Sequence, residues 1–88
     1  EIEEVLKEHL SVADCAVVGH YDNVGLLKPK AFVCLQDDVV PSDDLLGQLL
    51  KICAKKLDAH KRPRWLEFIG NLPRTATGKL QRFRLREQ

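Results

Sequence analysis

The 88 residues carry 14 Lys and Arg against 13 Asp and Glu, a net charge of +1. A chain of this size forms one small domain with a thin core, which leaves little to build both walls and floor of a catalytic cleft. No apolar run approaches a membrane span, and Cys15, Cys34 and Cys53 include no C-x-x-C pair of the kind that holds zinc.

The opening EIEEVLKEHL places Ile2, Val5, Leu6 and Leu10 at helical spacing among Glu and Lys, which predicts a short amphipathic helix. The chain starts without Met inside this pattern, so we expect a piece of a longer polypeptide. VADCAVVG (Val12–Gly19) predicts a strand buried on both faces or nearly so. Asp, Asn, Gly and Pro between His20 and Pro29 predict a turn-rich connection, and Lys30–Gln36 a second strand. After a loop at Asp37–Asp44, Ser42 is placed to cap a helix over Asp43–Leu57. Leu46, Leu49, Leu50, Cys53 and Leu57 would form its apolar face, with Lys51, Lys55 and Lys56 in water. A basic loop, His60–Arg64, leads to a third strand at Trp65–Ile69. A loop over Gly70–Gly78 then precedes a final short helix over Lys79–Gln88. The expected fold is α+β: a small sheet of about three strands flanked by helices. Trp65 and Phe68 read as core or interface aromatics, with the core favoured, and the cysteines as buried free thiols of a reducing, cytoplasmic compartment.

Charge is unevenly spread. Residues 1–59 carry 6 Lys and Arg against 11 acids, and residues 60–88 carry 8 against 2. A basic last third suits an anionic partner or a solvated helix end. Within it, LPRTATGKLQRFRLR sets Lys79 after the small residues Thr75, Ala76, Thr77 and Gly78. A phosphate-cradling P-loop needs a Gly at position 73 and Ser or Thr at position 80, where Pro and Leu stand. What remains is a turn-forming run with a mobile point charge at its tip, able to reach an oxyanion in a site built elsewhere. The plain alternative is a surface loop with a solvated lysine.

Pro73–Arg86 resembles the last signature motif of the adenylate-forming enzymes, Pro-Arg/Lys-Thr-x-x-Gly-Lys-[Ile/Leu/Val]-x-Arg, at every fixed position. The likeness continues upstream. Glu1-Ile2-Glu3 with Val5-Leu6 is similar to the helix after that family's interdomain hinge, and Cys15–Gly19 to the strand that follows. Lys61-Arg62-Pro63 is similar to its Tyr-Lys-x-Pro segment, with His60 in place of Tyr. The resemblance spans residues 1–88 and identifies the chain as the small C-terminal lid domain of an acyl-CoA ligase, its large N-terminal domain absent. AFVCL, AHKRPRWLEF and TATGKLQRFRLRE look most like benzoate and 4-hydroxybenzoate CoA ligases, with medium-chain acyl-CoA ligases as the alternative.

The resemblance implies a two-step reaction. A carboxylate attacks the α-phosphate of ATP, giving acyl-adenylate and diphosphate; the thiol of CoA then displaces AMP. It implies that Lys79 is the catalytic lysine of adenylation, supported by Arg74, Thr75, Thr77 and Gly78. It implies ATP with Mg2+ and CoA bound mainly through the N-terminal domain, no metal held by this chain, and an isolated fragment without activity. Lys61, Arg62 and Arg64 are candidates for the phosphates of CoA. Lys79 is a candidate for acetylation by a lysine acetyltransferase, reversed by a deacetylase, which would remove its charge. The partners expected are the N-terminal domain of the same ligase and a carboxylic acid substrate, with neither membrane nor nucleic acid. A nucleic-acid-binding module is the rival from another class; few aromatics and 11 acids in the first 59 residues disfavour it. A small interaction domain without chemistry is a third. Arg82, Arg84 and Arg86 would spread around a helix as interface or solvated charges.

Overall fold

Apolar runs in the first half of the chain form two strands joined by a tight turn. The computed structural model, which describes residues 2–86, has β1 at Val12–Tyr21 and β2 at Leu27–Leu35, paired antiparallel. β3, Trp65–Phe68, lies parallel to β2. A parallel neighbour needs a crossover, and the helix α2 (Asp43–Lys56) supplies it. The sheet order β1-β2-β3 makes β2 central and β1 an edge. α1 (Ile2–Lys7), a 3-10 turn at Ala59–Lys61 and α3 (Arg82–Arg86) complete the domain. This is the expected α+β architecture.

The sheet buries both faces. On one face, Cys15, Ala31 and Val33 pack with Leu6 of α1 and Leu49 and Cys53 of α2. On the other, Ala16, Val18, Phe32 and Cys34 pack with Leu72 and with Leu85 of α3. Strand alternation assigns the two sets, and a register shift between Val12 and Asp14 modifies it. The extra residue lets Val12 share the helix-covered face with Cys15. Asp14, next to Cys15, then falls on the opposite side, that of Ala16 and Val18.

Several expectations are corrected. Leu10 follows the end of α1 and is 93% exposed. The connection expected over His20–Pro29 shrinks to Asp22–Leu26, because His20, Tyr21 and Leu27–Pro29 extend the two strands. On α2 the buried face is Leu45, Leu49 and Cys53, followed by Leu57, while Leu50 is exposed and Leu46 half-buried. The final helix starts at Arg82, because Lys79 and Leu80 are drawn into a hairpin; the expected ends at Glu87 and Gln88, and Glu1 of the first helix, lie outside the described residues. Trp65 is half-buried and meets His20 edge-on at 5.3 Å. All three thiols are free and buried, and burial pushes that of Cys15 up to about 11.

Candidate functional site

Lys79 sits in a hairpin that the sequence writes twice. In Thr75–Lys79 the Thr75 carbonyl accepts from Gly78 N–H at 2.9 Å, and Thr75 N–H donates to the Lys79 carbonyl at 2.9 Å. The Thr75 hydroxyl accepts from Lys79 N–H at 3.1 Å. In Asp22–Leu26 the Asp22 carbonyl accepts from Gly25 N–H at 3.1 Å, and Asp22 N–H donates to the Leu26 carbonyl at 2.9 Å. There the Asp22 carboxylate accepts from Leu26 N–H at 2.9 Å. In both, glycine occupies the fourth position in the left-handed region, with φ of +88° at Gly78 and +83° at Gly25. This is a turn closed by a left-handed glycine, which matches the twist of the strands it joins. Lys79 is therefore the first residue on the returning side, not the tip, and the run before it is held by hydrogen bonds instead of being slack. Thr77 meets Thr75, hydroxyl to hydroxyl, at 3.0 Å.

The stems are fixed in turn. Arg74 and Leu80 form an antiparallel bridge, and Gln81 N–H donates to the Pro73 carbonyl at 2.9 Å. Leu72 and Leu80 anchor the stems to the face of the sheet that holds Phe32 and Cys34. The Lys79 side chain is exposed. Among the described residues no carboxylate or carbonyl engages its ammonium.

Two acids bind the hairpin to the rest of the domain. The Arg74 guanidinium donates to the Gly78 carbonyl at 2.9 Å and pairs with Asp14. Arg82, just past the hairpin, pairs with Glu3 at 2.9 Å and donates to the Val17 carbonyl at 3.4 Å. Both acids also take N–H groups from β1: Asp14 that of Cys15 and Glu3 that of Val17, each at 2.9 Å. An edge strand carries a row of unpaired backbone groups, and here side chains fill it. Partial burial pulls the Glu3 carboxyl upward, but Val17 N–H, the bonded Arg82 and Lys7 outweigh it and hold it below the usual range. At Asp14 burial likewise acts upward, and Arg74, Cys15 N–H and Lys7 bring the carboxyl down. Arg82 thus lies in an ion pair inside the domain, where a solvated or interface charge was expected.

Lys61, Arg62 and Arg64 do not converge on one point. Arg62 donates to the carbonyls of Leu57 at 2.9 Å and Ala54 at 2.8 Å, closing the C-terminal end of α2. Arg64 lies over the Trp65 ring at 5.9 Å. Arg62 and Arg64 border an open groove of about 420 Å³ with Lys28 and His60, whereas Lys61 borders a different one, beside Glu4 and Lys56. Among the described residues no group of three or more His, Cys, Asp or Glu is placed to hold a metal ion, and no helix is long and apolar enough to cross a membrane. Sequence reasoning missed Glu3 and Asp14. Each lies 60 or more positions from its arginine, and no local pattern marks them.

Residues 1–79 match the family model of the AMP-binding enzyme C-terminal domain. The chain is 44% identical over 98% of its length to the benzoate–CoA ligase of Thauera aromatica. It is 40% identical over 99% of its length to the 4-hydroxybenzoate–CoA/benzoate–CoA ligase of Rhodopseudomonas palustris. It spans 16% of the length of each. Among solved structures, the anthranilate CoA ligase AuaEII in complex with anthranoyl-AMP superposes with a TM-score of 0.93 at 49% identity, over 98% of this chain and 17% of that one.

Proposed function

The chain belongs to the family of AMP-binding enzyme C-terminal domains, and on that premise we propose that it is the mobile lid of an ATP-dependent aryl-CoA ligase, with Lys79 as its adenylation lysine. The whole enzyme joins an aromatic carboxylate to CoA, with ATP giving AMP and diphosphate. The observation that carries the proposal is the hairpin itself: a lysine whose backbone is pinned on both sides while its exposed ammonium pairs with no carboxylate among the described residues. Carboxylate and triphosphate repel each other on approach. A cation already fixed between them offsets that repulsion and holds the attacking oxygen in line with the α-phosphorus. In the second step the thiol displaces AMP, and the lid turns so that another face meets the site.

Among the described residues no group of three or more His, Cys, Asp or Glu is placed to hold a metal ion; on this reading Mg2+ arrives with ATP and is held by the remainder of the enzyme. CoA phosphates meet the basic residues 61–64. Of these, Arg64 is better placed than Arg62, two of whose donors are committed to α2. Acetylation of Lys79 by an acetyltransferase would switch off the first step alone. The buried thiols support a reducing, cytoplasmic setting.

The test uses the full-length protein carrying this domain. Lys79→Ala should lower diphosphate release from ATP and benzoate by about a hundredfold or more, while conversion of supplied benzoyl-adenylate with CoA persists. An unchanged first step refutes the assignment. The same assay run with medium-chain acids decides between aryl and medium-chain substrates.

A further inference from the structure

We propose that Asp14 and Glu3 are positioning residues for Lys79, tying the two stems of its hairpin to the open edge of β1; this rests on the reading of Lys79 as the adenylation lysine. The geometry is a two-point mount. At one point Arg74 bridges the Gly78 carbonyl, one residue from Lys79, to Asp14. At the other, Arg82, three residues beyond Lys79, bridges Glu3 and the Val17 carbonyl. The acids are themselves held, Asp14 by Cys15 N–H and Lys7, at 3.6 Å, and Glu3 by Val17 N–H. Lys79 lies between the two mounts. It needs both because leucines alone define how deep the stems sit, not how the hairpin is rotated over the sheet. The ion pairs fix that rotation and with it where the ammonium points. Side chains at both mounts are only partly exposed, from 29% at Asp14 to 44% at Arg82, so the pairs act through direction more than through stability.

The experiment uses the full-length protein and two readouts. The first is amide hydrogen exchange of the segment 73–82 in Asp14→Asn and Glu3→Gln. The second is the two half-reactions, measured in those variants, in Lys79→Ala, and in Asp14→Asn combined with Lys79→Ala. We expect faster exchange in the segment and an adenylation kcat lower by about tenfold, since small misplacements of a catalytic group are costly. KM for ATP and the thioester step should stay near their starting values. Asp14→Glu should keep most of the rate, and exchanging the charges, Glu3→Arg with Arg82→Glu, should recover part of it. In the Lys79→Ala background Asp14→Asn should cause no further loss, a result that general destabilisation does not give. Unchanged exchange and rate, or an equal added loss without Lys79, overturns the proposal. Should Lys79→Ala leave adenylation intact, the reading of Lys79 fails instead; the exchange measurement then decides whether the mount itself exists.

Discussion

Gly78 shows how one backbone angle sets the position of Lys79. Its φ of +88° is in the left-handed region, yet a methyl group placed there would meet nothing within 4 Å. The need for glycine is conformational, not steric. Gly78→Ala should therefore cost about 1 kcal/mol of stability from the backbone alone. It should also lower adenylation by distorting the turn that orients Lys79. Thermal unfolding of the domain, with the first half-reaction in the full-length protein, checks both; an alanine variant equal to the parent in each would show that the left-handed geometry is dispensable. Arg74 is informative in a different way. Its basic character is part of the family pattern, and its contacts give that charge an internal task, joining the hairpin to β1.

At the level of elements, α2 is capped at both ends by side chains. Ser42 accepts from Leu45 N–H at 3.1 Å, as its place before Asp43 and Asp44 predicts. Arg62 closes the other end from beyond the 3-10 turn, which only the folded chain shows. Ser42→Ala should cost about 1 kcal/mol, measured by denaturant unfolding. α3 has five residues and no helical stability of its own. It is held by Leu85, fully buried against the face that holds Val18 and Phe32. Leu85→Ala should cost about 3 kcal/mol and release the hairpin from its C-terminal side. A loss of only a few tenths in unfolding free energy would mean that α3 is not part of the cooperative unit.

Over the whole molecule, the two acid–arginine mounts join the ends of the chain, and their titration gives stability a pH dependence. Glu3 and Asp14 have carboxyls lowered from ordinary values of 4.5 and 3.8. Groups lowered by folding stabilise the native state above those ordinary values, and the contribution fades as pH falls through the lowered ones. Stability is thus expected to hold from neutrality to about pH 4.5 and to decline below it. In Glu3→Gln and Asp14→Asn that part of the decline should be absent. Melting temperatures at a series of pH values would show it, and variants tracking the parent through the acid range would rule these two carboxyls out as its source.

Much of this was legible in the residues. Short apolar, β-rich runs located the strands, Ser42 the start of α2, and the resemblance of Pro73–Arg82 to a family signature pointed to Lys79, because these depend on neighbours a few positions apart. Element ends were less legible. Pro29 and Gly19 suggested a break where pairing across the sheet carries both strands on to Leu27 and Tyr21. Helical spacing put Leu50 on the buried face of α2, and the packing chose Leu45, since periodicity gives the stripe but not its rotation against a sheet. The sequence by itself thus determined the class of fold and the order of its elements, and it singled out one candidate lysine. Only the tertiary structure decided what holds that lysine. The contacts of Asp14 with Arg74 and of Glu3 with Arg82 span 60 and 79 positions, and such pairs exist only once the sheet has brought the two ends of the chain to one edge.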